Sequence, residues 1–391
     1  MGPLAGLKVV EVAGEASAWA GRLLADMGAD VVLVEPPGGH FTRRYGPFVD
    51  DVPDPERSLW FWHYHASKSG VELTLDSAAF RTLVAGADIL IDSEGPGVVA
   101  GILGERPERL VHASISPWGA DAPDQPMTDL TVLAEAGPVW SCGYDDHSTP
   151  PVRGGGYQGW HTASHYTVMG VLTAVLVREV TGRGQFVDVS SLASSNVTTE
   201  LGSYGWLGAK QTVQRQTGRH AGPRRTGPTQ LLCADGRFLN NAAAARRGYE
   251  FASLAEWLES LGLADEFDEY GVLLLGKDID FISMADMDED SLKGEIFGAG
   301  RDAIRFLATQ LPAYELFIGL QSRGLPAGIV YAPEEVMQDP HFVARGFPTA
   351  IEHEDLGRSV IYTGAPLRYV GTPCGPRSRA PHLGEHQHLI A

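Results

Sequence analysis

The sequence predicts an α/β fold, on three observations. Short apolar runs alternate with stretches of helical period, at residues 7–12, 19–27 and 29–34. The same unit returns at residues 71–75, 78–84 and 88–91. Two strand-like runs end in proline and glycine, at Glu35-Pro36-Pro37-Gly38-Gly39 and near Gly95-Pro96-Gly97, where neither helix nor ladder continues.

Gly28 ends the first helix before the second apolar run. Open parallel sheets bind ligands beyond the carboxyl ends of their strands, so Glu35, Thr42 and Arg43 are candidate ligand residues as well as candidate turn residues. Residues 58–66, SLWFWHYHA, are dense in aromatics and point to packing in a core or subunit interface. After a further strand at 110–115 comes the stretch 151–190. It reads as a glycine-rich turn, an apolar helix over 162–180, a turn at Thr181-Gly182-Arg183-Gly184 and a strand over 186–189. Such a helix entrance offers backbone N–H groups to a small ligand. His161 and His165, four residues apart, share one helical face.

With 391 residues the chain is long enough for two domains, or for one large domain with an insertion. Its 43% apolar content and 47 glycines fit a globular enzyme rich in tight turns. A net charge of −19 argues against nucleic acid and anionic lipid as partners, and the arginine pairs at 43–44, 224–225 and 246–247 read as solvated surface. Three scattered cysteines, Cys142, Cys233 and Cys374, form no disulfide framework and no zinc-ligand spacing, so no metal is expected. No basic segment followed by an apolar run opens the sequence, and the apolar segment within 166–178 is too short to span a bilayer. The expected setting is the cytoplasm, without a membrane.

Several segments in order carry a family resemblance: LAGLKVVEV, LLADMGADVVLVEPPGG, a lysine before VELTLDS, ADILIDSEGPGV and TGRGQFVDVS, then LPAG at 325–328, PEEVMQDPHFVARGF at 333–347 and APHLGEH at 380–386. Together they resemble the class III CoA-transferases, the family of formyl-CoA transferase and carnitine CoA-transferase, to which the alpha-methylacyl-CoA racemases are related. The resemblance implies a large Rossmann-like domain built from residues 1–225 and 333–391, a small α+β domain inserted at 226–332, and two subunits interlocked like links of a chain. It implies a homodimer and a coenzyme A thioester as substrate. Ala18, Glu35, Arg43, Lys68, Pro96 and Gly97 become the candidate coenzyme-side residues.

In that family an aspartate carboxylate attacks an acyl-CoA thioester to form a mixed anhydride, dividing one hard transfer into two easier ones. The aspartate should follow a glycine and lie ten residues before Gly170; that place holds Trp160, after Gly159. Between Arg153 and Arg178 there is no aspartate or glutamate at all, and an indole is no nucleophile toward a thioester. Ser17-Ala18-Trp19 stands where the family has Ala-Gly-Pro, Ser67-Lys68-Ser69-Gly70 where it has Asn-Lys-Arg-Ser, and Thr128 where the racemases have histidine. The remaining candidates for chemistry are His161, beside the altered position and either a general base or a packed residue, then His165, Tyr157 and Asp129, the last also a candidate helix cap. Three functions stay open: histidine-assisted chemistry on a CoA thioester or related carboxylic substrate, a catalytically silent subunit paired with an active paralogue, and a cleft turned to a non-CoA substrate.

Overall fold

The computed structural model describes residues 1–123, 125–241, 244–283, 286 and 291–390. Two compact units emerge: residues 1–143, 150–213 and 337–391 form one, and residues 144–149 and 214–336 the other.

The first unit runs β1 (Lys8–Val12), α1 (Ala18–Asp26), β2 (Asp30–Glu35), α2 (Leu59–His65), β3 (Ser69–Glu72), α3 (Ala78–Ala85), β4 (Ile89–Asp92), α4 (Val98–Leu103), β5 (Val111–Ser116), α5 (Asp129–Ala136), α6 (Gln158–Thr181), β6 (Phe186–Ser190), α7 (Ser191–Asn196) and α8 (Glu200–Ala209). Its strands form one six-stranded sheet in the order β3-β2-β1-β4-β5-β6, parallel at every pairing. That is the doubly wound order, with its switch point between β1 and β4. The α/β expectation is therefore met.

Alternation along each strand explains why both faces carry helices. Val9, Ile89, Ile91 and Val111 pack with Ala20 and Leu24 of α1 and Val168 and Val171 of α6. Their neighbours Val10, Leu90 and Val12 face the other way, onto Phe80 and Val84 of α3 and Val99 of α4. α2 is capped by Ser58, whose hydroxyl accepts from the Phe61 N–H at 3.1 Å. It buries Trp60, Phe61, Trp62 and Tyr64 against Leu33, Ile351, Tyr362 and Ala380, so the aromatic run is a core element.

β3 is the edge strand, and residues 378–387 cover it. Gly70 accepts from the His386 N–H at 2.9 Å, and the Glu72 N–H and carbonyl meet the Gln387 amide at 3.0 and 2.9 Å. The Ser67 N–H donates to the Ser378 carbonyl at 3.0 Å.

In the second unit, β7 (Gln214–Gln216) and β8 (Arg219–Gly222) form a hairpin, followed by β9 (Gln230–Leu232) and β10 (Phe238–Asn240). Helices α9 (Gly248–Ser260), α10 (Tyr270–Leu275), α11 (Leu292–Gln310) and α12 (Ala313–Ser322) come next, and then β11 (Gly328–Ile329), which completes an antiparallel sheet β11-β10-β9. Phe251, Leu254, Leu258, Ile304, Leu307 and Leu316 form its core. No described helix is long and apolar enough to cross a membrane.

One expectation is corrected. The sequence starts the central helix at residue 162, whereas α6 begins at Gln158 and takes Gly159 and Trp160 into its first turn. The cause is a carboxylate from α5, described next.

Candidate active site

The loops after β1 and β4 and the carboxyl end of β5 close around a cavity of about 330 Å³, with Gly14, Glu15 and Ala16 from the first, Ser93, Glu94 and Gly95 from the second, and Ile115, Ser116 and the following Pro117 from the third. It sits beyond the strands' carboxyl ends at the switch point, where doubly wound sheets take ligands. A larger cavity of about 630 Å³ lies by Lys8, Asp30 and Ser69, the opening residues of β1, β2 and β3, at the wrong end of the sheet for that role. Gly14 permits the close approach of two loops: a Cβ there would lie 2.1 Å from Ser93 Oγ. The Ser93 hydroxyl donates to Ser17 Oγ at 3.2 Å and ties the loops across the switch.

Trp160 of α6 and Ser191 of α7 complete the wall. Trp160 is held there by Asp129. One oxygen of that carboxylate accepts from the Gly159 and Trp160 N–H groups at 2.8 and 3.1 Å, and the other from Arg153 at 3.2 Å. Asp129 is thus the anion at the start of α6, satisfying two donors that a helix cannot satisfy itself. Thr128 caps Asp129's own helix, its hydroxyl accepting from the Thr131 N–H. Burial raises the Asp129 pKa above the ordinary carboxyl value, against the two amides and Arg153, which lower it.

The histidines face elsewhere. His161 shares a 2.8 Å hydrogen bond with the Tyr64 hydroxyl and stacks on Trp19 with ring centroids 4.9 Å apart. Trp19 also stacks on His63 at 5.5 Å, and its indole N–H donates to His165 Nε2 at 3.3 Å. Tyr157 lies edge-on to Trp60 and Tyr64, its pKa raised by burial and then by Glu15. None of His161, His165 and Tyr157 lines the cavity that holds Trp160.

Burial lowers His161 and His63 to about 4, with His165 adding to the effect on the first and Arg22 to that on the second. His40, which does line the cavity, is lowered to about 4 by burial. All three are neutral at pH 7. Between about 6.5, the unperturbed value, and about 4 these three histidines bind protons in the unfolded chain and not in the folded one, so their contribution to stability is lost as pH falls through that window, opposed by Glu11, which is raised to about 7. Melting curves between pH 4.5 and 7 are expected to show that decline, and His161→Phe to flatten it by one proton. Parallel pH profiles of the wild-type chain and His161→Phe contradict this account.

The coenzyme-side candidates divide into two groups. Lys68 is 3% exposed, and its ammonium is bound by Glu11 at 2.6 and 2.9 Å, the Ala18 carbonyl at 3.0 Å and His65 Nδ1 at 3.0 Å. Burial lowers Lys68 to about 8 and raises Glu11 to about 7. Arg43 makes a bidentate pair with Glu35 at 2.7 and 2.8 Å, reaches Glu56 at 3.0 Å, and lies 3.9 Å over the Phe61 ring. Ala18, Glu35, Arg43 and Lys68 are all buried, Arg43 paired with Glu35 and Lys68 with Glu11. Pro96 and Gly97 remain on the open turn before α4, next to the cavity residue Gly95; Gly97 has φ 72 and is exposed.

The cavity brings in residues that the sequence reading does not single out: Glu15, Glu94, Ser116, Ser191 and His40. Their signal is position: Glu15, Glu94 and Ser191 come just after β1, β4 and β6, Ser116 ends β5, and His40 follows β2 by five residues. Burial raises both Glu15 and Glu94, with Asp129 adding to the first and Asp92 to the second.

A family model described as CoA-transferase family III matches residues 4–387. The chain belongs to that family. Among curated relatives of this family III chain, the succinyl-CoA:(R)-benzylsuccinate CoA-transferase subunit BbsE of Thauera aromatica is 29% identical over 98% of this chain and 92% of its own length. The succinyl-CoA:mesaconate CoA-transferase of Haloarcula hispanica is 28% identical over 99% and 95%. In fold, the chain resembles a CAIB/BAIF family protein from Brucella suis, with a TM-score of 0.78 at 24% identity, covering 100% of this chain and 98% of that one.

Proposed function

We propose that this chain binds the CoA thioester of a carboxylic acid, or a related carboxylic substrate, in the crevice at the switch point and processes it without forming an acyl anhydride at residue 160. The observation that carries the reading is Trp160: a residue in the cavity wall, locked by Asp129, that offers an indole where the family resemblance calls for a carboxylate. Membership of family III and the crevice at the strand ends support the substrate class. The same reading places the protein in the cytoplasm as an interlocked dimer, with residues 226–332 as the inserted small domain. Exposed apolar side chains on α6, Met169, Leu176 and Val180, and on α8, Trp206 and Leu207, suit such a partner.

The test is chemical trapping. The purified chain incubated with butyryl-CoA, freed of unbound thioester and then treated with hydroxylamine, is expected to release no acyl hydroxamate. A protein-bound acyl group overturns the reading.

One observation favours a second reading, a catalytically silent subunit completed by an active paralogue: BbsE, 29% identical to this chain, is itself named as a subunit. A well-behaved homodimer that turns over substrate alone rejects it.

A further inference from the structure

We propose that the crevice selects the acyl group of a monocarboxylic acid and excludes acyl groups that carry a second carboxylate. The proposal rests on the reading that this crevice receives the acyl end of a CoA thioester. Among the described residues its wall contains two carboxylates, Glu15 and Glu94, and no lysine or arginine. His40, the remaining titratable group in the wall, is kept neutral by burial.

Two neighbouring guanidiniums are already engaged. Arg153 is bound to Asp129 and to the Gly156 carbonyl, and Arg43 to Glu35 and Glu56. The start of α6, whose first-turn amides are an ordinary seat for an anion, is already filled by the Asp129 carboxylate. A second carboxylate inside this cavity of about 330 Å³ therefore meets like charge and no compensating cation from the described wall.

What the wall does offer is neutral. The Trp160 indole nitrogen and the Ser191 hydroxyl are buried, in residues 5% and 0% exposed, and neither has a hydrogen-bond partner among the described residues. Ile115, Pro117, Phe41 and Met127 supply apolar wall for the carbon chain. The relatives named above carry succinyl-CoA in their names, so the inference sets this chain apart from them.

Calorimetry on the purified full chain decides it, with butyryl-CoA and succinyl-CoA as four-carbon probes that differ in one carboxylate, and CoA as control. Butyryl-CoA is expected to bind at least about tenfold more tightly than succinyl-CoA. Glu94→Gln, on an exposed loop, and the double variant with Glu15→Gln should narrow that gap by tightening succinyl-CoA binding. Equal or tighter binding of succinyl-CoA, or a gap that neither variant changes, overturns the proposal while leaving the CoA site standing. Failure of all three compounds to bind removes the CoA reading itself, and the proposal with it.

Discussion

Replacing Lys68 by methionine is expected to cost about 3–5 kcal/mol of stability, the range for breaking a buried ion pair by removing one partner. Glu11 is fully buried, and the lysine is what compensates it: both carboxylate oxygens lie within 2.9 Å of Nζ. The surroundings give no room for relaxation, since a Cβ on Gly21 would fall 1.6 Å from Glu11 Oε2. Without Lys68 the carboxyl, already raised to about 7 by burial, loses the group that lowers it and rises further. An acid whose folded pKa lies above its unfolded one contributes stability that is present at low pH and lost as pH rises through the folded value. Denaturant titrations should therefore find Lys68→Met more damaging at pH 8 than at pH 6. The double variant Lys68→Met, Glu11→Met should recover most of the loss, because two apolar side chains leave no charge to bury. Equal instability of the single and double variants would sink the explanation.

Asp129→Ala is expected to cost about 2–3 kcal/mol, from two buried amides left without an acceptor and a guanidinium left with backbone carbonyls alone. Asp129→Asn keeps an acceptor oxygen and should cost less than about 1 kcal/mol. Hydrogen exchange localises the effect: the alanine variant should lose protection at the Gly159 and Trp160 amides, while the far end of α6 stays protected. Identical behaviour of the two variants would show that the carboxylate is not a cap.

Much of the sheet is legible in the sequence because its strands are buried on both faces and read as unbroken Val, Ile and Leu runs, as in DVVLVE and ILID. The start of α6 is not, because its acceptor lies thirty residues upstream on another helix. Thr128-Asp129 looks like a local cap, and half of that is right: Thr128 caps α5 while Asp129 caps α6. The site was harder to read. Spacing puts His161 beside Trp160, yet consecutive helical residues point about 100° apart. One ring therefore meets Trp19 and the other meets the cavity. Glu15 and Glu94 resemble ordinary surface acids until strand order brings their loops together. Lys68 resembles a phosphate ligand until tertiary packing closes Glu11 over it.

The cover over β3 has a consequence for how the chain is made. Residues that close this edge, 378–387, leave the ribosome some three hundred residues after the strand itself. Throughout that interval the nascent sheet carries an open ladder able to pair with any other strand in reach. Slow translation or stalling beyond β6 prolongs the exposure, so chaperone demand during synthesis should track the time to residue 387 rather than the time to finish the sheet.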